Sequence, residues 1–422
     1  MKNKGLYILS LLLLFAVTAV AQVPDEYLQR RQAAMDSLRQ VRIEWEEQYW
    51  QKRRLFEAKH RPQRVKPTEQ PTLSDTLKTD KAIHYELMQP SDTTLQRFEE
   101  LSVGSMGKST QVKVSFYGRT ITFNVPENKD PKQLASQLAT QKKRYNLNDW
   151  GLLLLAQKVA AEIMPNSVDD QAVLTVQMMN ALHYDLRIGR MGSHYYVMVH
   201  TGYPLYEIPY MEADGKHYYA LGVDARQGGT LYSYDKQPAD AVLPLDMRVK
   251  KSPLLGSRDL IDFYADYPLT DIRVQATAAI SDELTKQMRQ FSFANRKDTL
   301  ACLNQLLAYV QSFDYKSDLE QFGREKYFFC EEMYYYPGSD CEDRAVLFSH
   351  MVQLLFGLDV VLLDYPDHMV TAVQLPVASS KGHYVTLQNC RYYLCDPTFR
   401  GAKVGQLDKR FHNLKTKVIE TN

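Results

Sequence analysis

The sequence predicts an α+β protein whose C-terminal part packs a cysteine-bearing helix on an antiparallel sheet, and three observations carry that expectation. Ser339 and Glu342 stand at capping-box spacing, and Ala345, Phe348, Met351, Val352 and Leu355 recur at threes and fours as far as Gly357, the pattern of an amphipathic helix with a glycine stop. Short β-rich runs follow at 359–363, 368–375, 382–387 and 391–394, separated by turn residues such as Pro366-Asp367 and Gln388-Asn389. The same helix-then-strands rhythm occurs earlier in the chain, from Asn148 onward.

In chain order, Lys2 and Lys4 precede the apolar run Leu6 to Val17, and Ala19-Val20-Ala21 is an A-x-A cleavage site, so residues 1–21 read as a signal peptide. The run is short for an uncleaved bilayer anchor, and no cysteine stands at the cleavage point to take a lipid. The mature chain is therefore expected outside the cytoplasm, periplasmic, cell-surface or secreted, with no further membrane span. Residues 22–62 read as a long amphipathic helix through Leu28, Met35, Leu38, Trp45, Tyr49 and Phe56. Arg31, Arg42 and Lys52 fall on the same seam, which favours docking on the protein's own body over a coiled coil. Residues 63–108, polar and rich in Pro, Thr and Ser, read as a linker.

Residues 109–240 read as a degenerate copy of the C-terminal core. Asp169-Asp170-Gln171-Ala172-Val173-Leu174 parallels Glu342-Asp343-Arg344-Ala345-Val346-Leu347, and Tyr184-Asp185-Leu186-Arg187-Ile188 parallels Leu358-Asp359-Val360-Val361-Leu362. His194 then falls opposite His368, Lys216 to Leu221 opposite Arg391 to Asp396, and Val168 opposite Cys341. Two unrelated α+β domains with a shared rhythm are the alternative. Residues 241–298 read as a connecting segment and 299–422 as the second, thiol-bearing domain.

The candidate chemistry is the ordered set Cys341, His368 and Asp396. A cysteine in the first turn of a helix meets free backbone N–H groups and the positive end of the helix dipole, both of which favour thiolate. A histidine opening a strand could serve as its base, and a carboxylate at the end of the next strand could hold the imidazole tautomer. Taken singly, each residue is more ordinarily structural; their order and the helix cap carry the inference.

This arrangement resembles the transglutaminase-like core, within the broad architectural group of papain-type cysteine proteases. The resemblance spans roughly Thr299 to Leu407 and rests on Asp340-Cys341-Glu342-Asp343 with its helix, the His368 strand and Asp396-Pro397-Thr398. It implies Cys341 as nucleophile, His368 as general base then acid, and Asp396 as orienter. Two departures stand out: Ser339 replaces the glycine of a G-D-C motif, and Met369-Val370 replaces the small-aromatic pair that commonly follows the histidine.

The 422 residues suffice for two or three cores, and a formal net charge of +1 from 51 basic and 50 acidic residues gives no reason to expect nucleic acid. No glycine-rich phosphate loop is evident, and Cys302, Cys330, Cys390 and Cys395 form no zinc spacing, so neither cofactor nor metal is expected; their disulfide pairing is open. Among the 28 tyrosines, Tyr334-Tyr335-Tyr336 lie just before the cysteine, where a substrate wall would stand. Two functions fit: an exported cysteine acyl-transfer enzyme acting on a protein or peptide, such as a cell-wall peptide, or a non-catalytic envelope binding module with a residual triad. Hydrolysis and cross-linking share the thioester, and the sequence does not separate them or define an oligomeric state.

Overall fold

The computed structural model describes residues 109–223, 231–233, 243–294, 297–375, 382–412 and 414–421, together with the backbone of 85–87. The expected signal peptide and long helix lie outside the described residues. So does the expected linker, apart from Tyr85–Leu87, which forms strand β1.

The first half opens with a hairpin, β2 (Ser109–Phe116) and β3 (Arg119–Pro126), which buries Val114, Phe116, Ile121 and Phe123 on one face by simple alternation. Helices α1 (Pro131–Arg144), α2 (Asp149–Ile163) and α3 (Val168–Asn180) follow. Asp130, Asn148 and Ser167 cap them, each side-chain oxygen accepting a first-turn N–H. α3 is buried from Ala172 to Asn180 and packs on strands β4 (Leu186–Met191) and β5 (His194–Val199). With β6 (Tyr210–Ala213), β7 (Lys216–Ala220) and β8 (Leu231–Ser233) these form a sheet in the order β1-β8-β4-β5-β7-β6, antiparallel except for the β1–β8 edge.

The stretch expected only to connect is instead structured, with α4 (Ser257–Ala265), α5 (Arg273–Ala276) and α6 (Asp282–Arg289). Its apolar residues divide between two cores: Leu245, Met247, Phe263 and Tyr264 pack with the first half, and Ile272, Ala276, Leu284 and Met288 with the second. Lys326 ties the halves, its Nζ lying 2.8 Å from Glu332 and 3.2 Å from the Tyr264 carbonyl. The described residues thus belong to one compact unit within Pro71–Asn422.

The second half contains α7 (Thr299–Gln311), α8 (Asp318–Phe322) and α9 (Cys341–Phe356), which ends on Gly357 in the left-handed region at φ 63° as expected. β9 (Val360–Tyr365) and β10 (His368–Gln374) form a hairpin over a two-residue turn in which Asp367 takes φ 58°. β11 (Tyr384–Leu387) and β12 (Cys390–Cys395) turn through Gln388 and Asn389, both at positive φ, and β13 (Lys417–Glu420) closes the other edge. The order is β11-β12-β10-β9-β13, all antiparallel. α9 covers one face, where Val360, Leu362 and Val373 join its core, while Val361, Leu363 and Val370 face a smaller cluster with Leu407 and Phe411.

The two sheets share a plan. Each has a helix followed by two hairpins, and β8-β4-β5-β7-β6 reproduces β13-β9-β10-β12-β11 position for position.

Candidate active site

Cys341 is the first residue of α9, but the N-cap is Asp340 and not Ser339. Ser339 is already used in tertiary pairing: its N–H donates to the Asp314 carbonyl at 3.1 Å, its own carbonyl accepts from Lys316 N at 3.2 Å, and its hydroxyl accepts from Arg344 Nε at 3.2 Å. Asp343, one turn into the helix, is buried and accepts from the backbone N–H of Phe328 at 2.9 Å and of Asp340 at 3.3 Å. These bonds fix the helix entrance and with it the position of the thiol.

His368 opens β10, and Asp396 directly follows β12. Because Thr371 pairs with Cys395, the register sets Asp396 diagonally across from His368, and His368 Nε2 lies 2.9 Å from Asp396 Oδ2. Asp396 is fully buried, and its second oxygen accepts from the backbone N–H groups of Thr398 and Phe399, both at 3.0 Å. A carboxylate so committed accepts from Nε2–H, which leaves Nδ1 as the basic nitrogen. Phe411 stacks on the imidazole at 4.7 Å between centroids, and Gln311 from α7 donates to the Asp396 carbonyl at 2.9 Å. Neither residue stood out in the sequence, because both reach the site only through the fold.

The thiol behaves differently from the helix-dipole expectation. Cys341 is 7% exposed, and burial raises its pKa well above the usual thiol range; the carboxylates of Glu342 and Asp340 raise it further. Its proton goes to Glu342 Oε2, at 2.9 Å from the sulfur. The Met369 backbone N–H, which would favour the charged form, is outweighed, but it sets the sulfur against the residue next to His368. Among the described residues no hydrogen bond joins the thiol to the imidazole. The geometry therefore holds a joined His368–Asp396 pair and a neutral thiol beside it.

The surroundings are acidic. Asp318, Glu325, Asp340 and Asp343 all have raised pKa values, with burial the largest cause for each, and Glu325 is pushed up to about 7. Arg344 does not neutralise them: it donates to Ser339 Oγ and, through Nη2 at 2.8 Å, to the Phe313 carbonyl. The tyrosines beside the thiol are also not those the sequence singled out. Burial, then Cys341, raises Tyr315 to about 12, and Glu342 acts on Tyr327, whereas Tyr334 and Tyr336 pack with Tyr309, Phe313, Phe322 and Phe328.

Of the cysteines other than Cys341, Cys302, Cys330 and Cys395 are buried and Cys390 is half-buried. No helix among the described residues is long and apolar enough to cross a membrane. Comparison of the chain with protein-family models, with curated proteins and with solved structures finds no match.

Proposed function

We propose that the chain is an exported cysteine acyl-transfer enzyme of transglutaminase-like type, cleaving or transferring a peptide or side-chain amide through a thioester on Cys341. The observation that carries the reading is the His368–Asp396 pair at 2.9 Å, opening the strand whose next backbone N–H meets the Cys341 sulfur. Histidines at strand ends are common; one whose Nε2 is held by a buried carboxylate, leaving Nδ1 as the acceptor, and whose neighbour Met369 meets the Cys341 sulfur, is suited to take the proton from sulfur.

The reaction would run from a neutral resting thiol. Sulfur attacks the amide carbonyl carbon as its proton passes to His368 Nδ1, and the Cys341 backbone N–H, free at the helix N-terminus, stabilises the oxyanion. The carbon–nitrogen bond then breaks, with the same proton leaving on the amine or ammonia, and the thioester passes to water or a second amine. Residues 109–240 we read as a duplicate of this core that lost its chemistry, since Val168 and Leu221 stand where Cys341 and Asp396 would be.

One observation favours the second reading, a binding module with a residual triad: the thiol hydrogen-bonds to Glu342 instead of to the imidazole. The two separate by intact-mass spectrometry of the mature chain mixed with glutamine- and amide-containing peptides and quenched in acid. Acylation on Cys341 that vanishes in Cys341→Ala and His368→Ala supports the enzyme; release of unmodified protein at every time point, with no peptide turnover, favours the module.

A further inference from the structure

We propose that Asp318, Glu325 and Asp340 form a binding site for a hard divalent cation of the Ca2+ class at the entrance of α9. The three carboxylates come from separate stretches of chain, so no sequence spacing announced them, yet one oxygen from each lies within 4.8 Å of the other two. Ca2+ takes oxygens at about 2.3–2.6 Å, so ligands on opposite sides of one ion stand about 4.6–5.2 Å apart. Three oxygens spread evenly around one such ion stand about 4.0–4.5 Å apart, so a single ion can reach all three with at most a small inward shift of the carboxylates. Mg2+ holds oxygens at about 2.0–2.1 Å in a strict octahedron and so demands a tighter, more exact arrangement than Ca2+.

The hydrogen-bond census points to the same place independently. Asp340 is 7% exposed, and its Oδ1 is shielded from solvent with no donor. Gln321, 4% exposed, is in the same condition at Oε1. Gln321 lies one helical turn after Asp318 on α8, and its Nε2 donates to the Gly338 carbonyl at 3.2 Å, two residues before Asp340. Two nine-tenths-buried side chains of this region thus each carry an acceptor oxygen, Asp340 Oδ1 and Gln321 Oε1, with no donor, and buried acceptors are ordinarily satisfied.

Among the described residues no protein cation forms an ion pair with the three, although Arg344 lies close enough to interact electrostatically with Asp340. None of the ion pairs among the described residues includes Asp318, Glu325 or Asp340; the Lys326 ammonium is spent on Glu332 at 2.8 Å and Arg344 on Ser339 and Phe313. Lys326 contributes only its backbone N–H, which holds Asp318 Oδ2 at 2.8 Å and so orients that carboxylate. The positive end of α9 opposes a cation here by about half a charge, against three carboxylates that attract it. Glu325 is half-buried, which gives the ion a route from solvent. Burial first, and neighbouring carboxylates second, raise the pKa values of all three residues.

This inference does not rest on the thiol reading, and its test reads binding, not turnover. The mature full-length chain, stripped with EDTA, is titrated with CaCl2 by calorimetry and melted with and without it. We expect a single saturable site and a rise in Tm, with Asp318→Asn and Glu325→Gln each weakening binding by about tenfold or more. In EDTA both variants should melt no lower than the parent, since burial already disfavours the charged form of each carboxyl. Should Asp318→Asn fail to fold, Glu325→Gln at the half-buried edge decides alone. Absence of heat and of a Tm shift at millimolar CaCl2, as for a cluster satisfied by protons, overturns the site; so does binding to Glu325→Gln as tight as to the parent.

Discussion

Replacing Asp396 by asparagine is the most discriminating single change, because it preserves shape while inverting one hydrogen bond. Asp396 accepts three times: from Thr398 N and Phe399 N at 3.0 Å each through Oδ1, and from His368 Nε2 at 2.9 Å through Oδ2. An asparagine that keeps its carbonyl oxygen on the two backbone donors must present its NH2 group to Nε2. The imidazole then becomes the acceptor there and carries its proton on Nδ1, the nitrogen that the proposed reaction would use as base. Flipping the amide restores the useful tautomer only by setting NH2 against two buried N–H groups, at about 1–3 kcal/mol each. The competent form is thus disfavoured by about 2–6 kcal/mol, a loss of about 30-fold to about 25,000-fold in the rate of the proposed acylation at Cys341.

The assay is the initial rate of acyl-enzyme formation by intact-mass spectrometry, with alkylation of Cys341 by iodoacetamide at neutral pH as a second readout and a thermal melt as control. Asp396→Asn should retain its fold, since two of the three hydrogen bonds are kept and the third is reversed but not lost, while Cys341 labels more slowly and acylates far more slowly. A folded variant that acylates at the parental rate refutes the role of the pair. A variant that instead unfolds shows Asp396 acting through the 396–399 turn alone.

Two other expectations bear on the same region. Glu342→Gln should speed iodoacetamide labelling of Cys341 by at least about tenfold at neutral pH: after burial, Glu342 is the largest cause of the raised thiol pKa, and even with water-like screening a unit charge at the 2.9 Å separation contributes about 1.4 kcal/mol. Unchanged or slower labelling means Glu342 assists the thiol. His350, on the face of α9 that packs against α5, bonds the Gln275 carbonyl at 3.0 Å, and burial lowers its pKa below the usual histidine value. Its folded pKa being the lower one, its contribution to stability is present above about pH 6.5 and is lost as pH falls from there towards the folded value. Urea midpoints should therefore drop more between pH 7.5 and pH 5 for the parent than for His350→Gln, and equal drops remove the argument.

What the sequence could show was local and periodic. The span of α9, its glycine stop, the β9–β10 and β11–β12 hairpins and the meeting of His368 with Asp396 all follow from apolar spacing and turn residues. Most of the failures come from contacts distant in sequence. Ser339 lost the N-cap because its backbone is bridged to Tyr315, and 241–298 read as a connector because its apolar residues serve two cores at once. Reading the thiol from the helix dipole alone gave the wrong direction, since burial and two adjacent carboxylates outweigh a terminal half-charge. Glu342 was visible in sequence as a neighbour; that it would take the thiol proton was not. Asp318 and Glu325 carry no sequence signal for their approach to Asp340.

The sheet of the first half serves as an internal control on what the backbone plan alone can do. It has the same strand order, and a histidine, His194, opens β5 as His368 opens β10. Yet the His194 side chain is 72% exposed and its Nδ1 lies 3.9 Å from Asp169, while Val168, at the head of α3, is 72% exposed where Cys341 is buried. Helix, hairpin and histidine are thus insufficient to build a dry site. In the second half the imidazole is covered by Phe411, its carboxylate partner is buttressed by Gln311, and the entrance of α9 is held by Phe328 and the 313–316 stretch. Those additions, and not the shared frame, exclude water from the thiol. They are consequently where loss of reactivity with an intact sheet should appear.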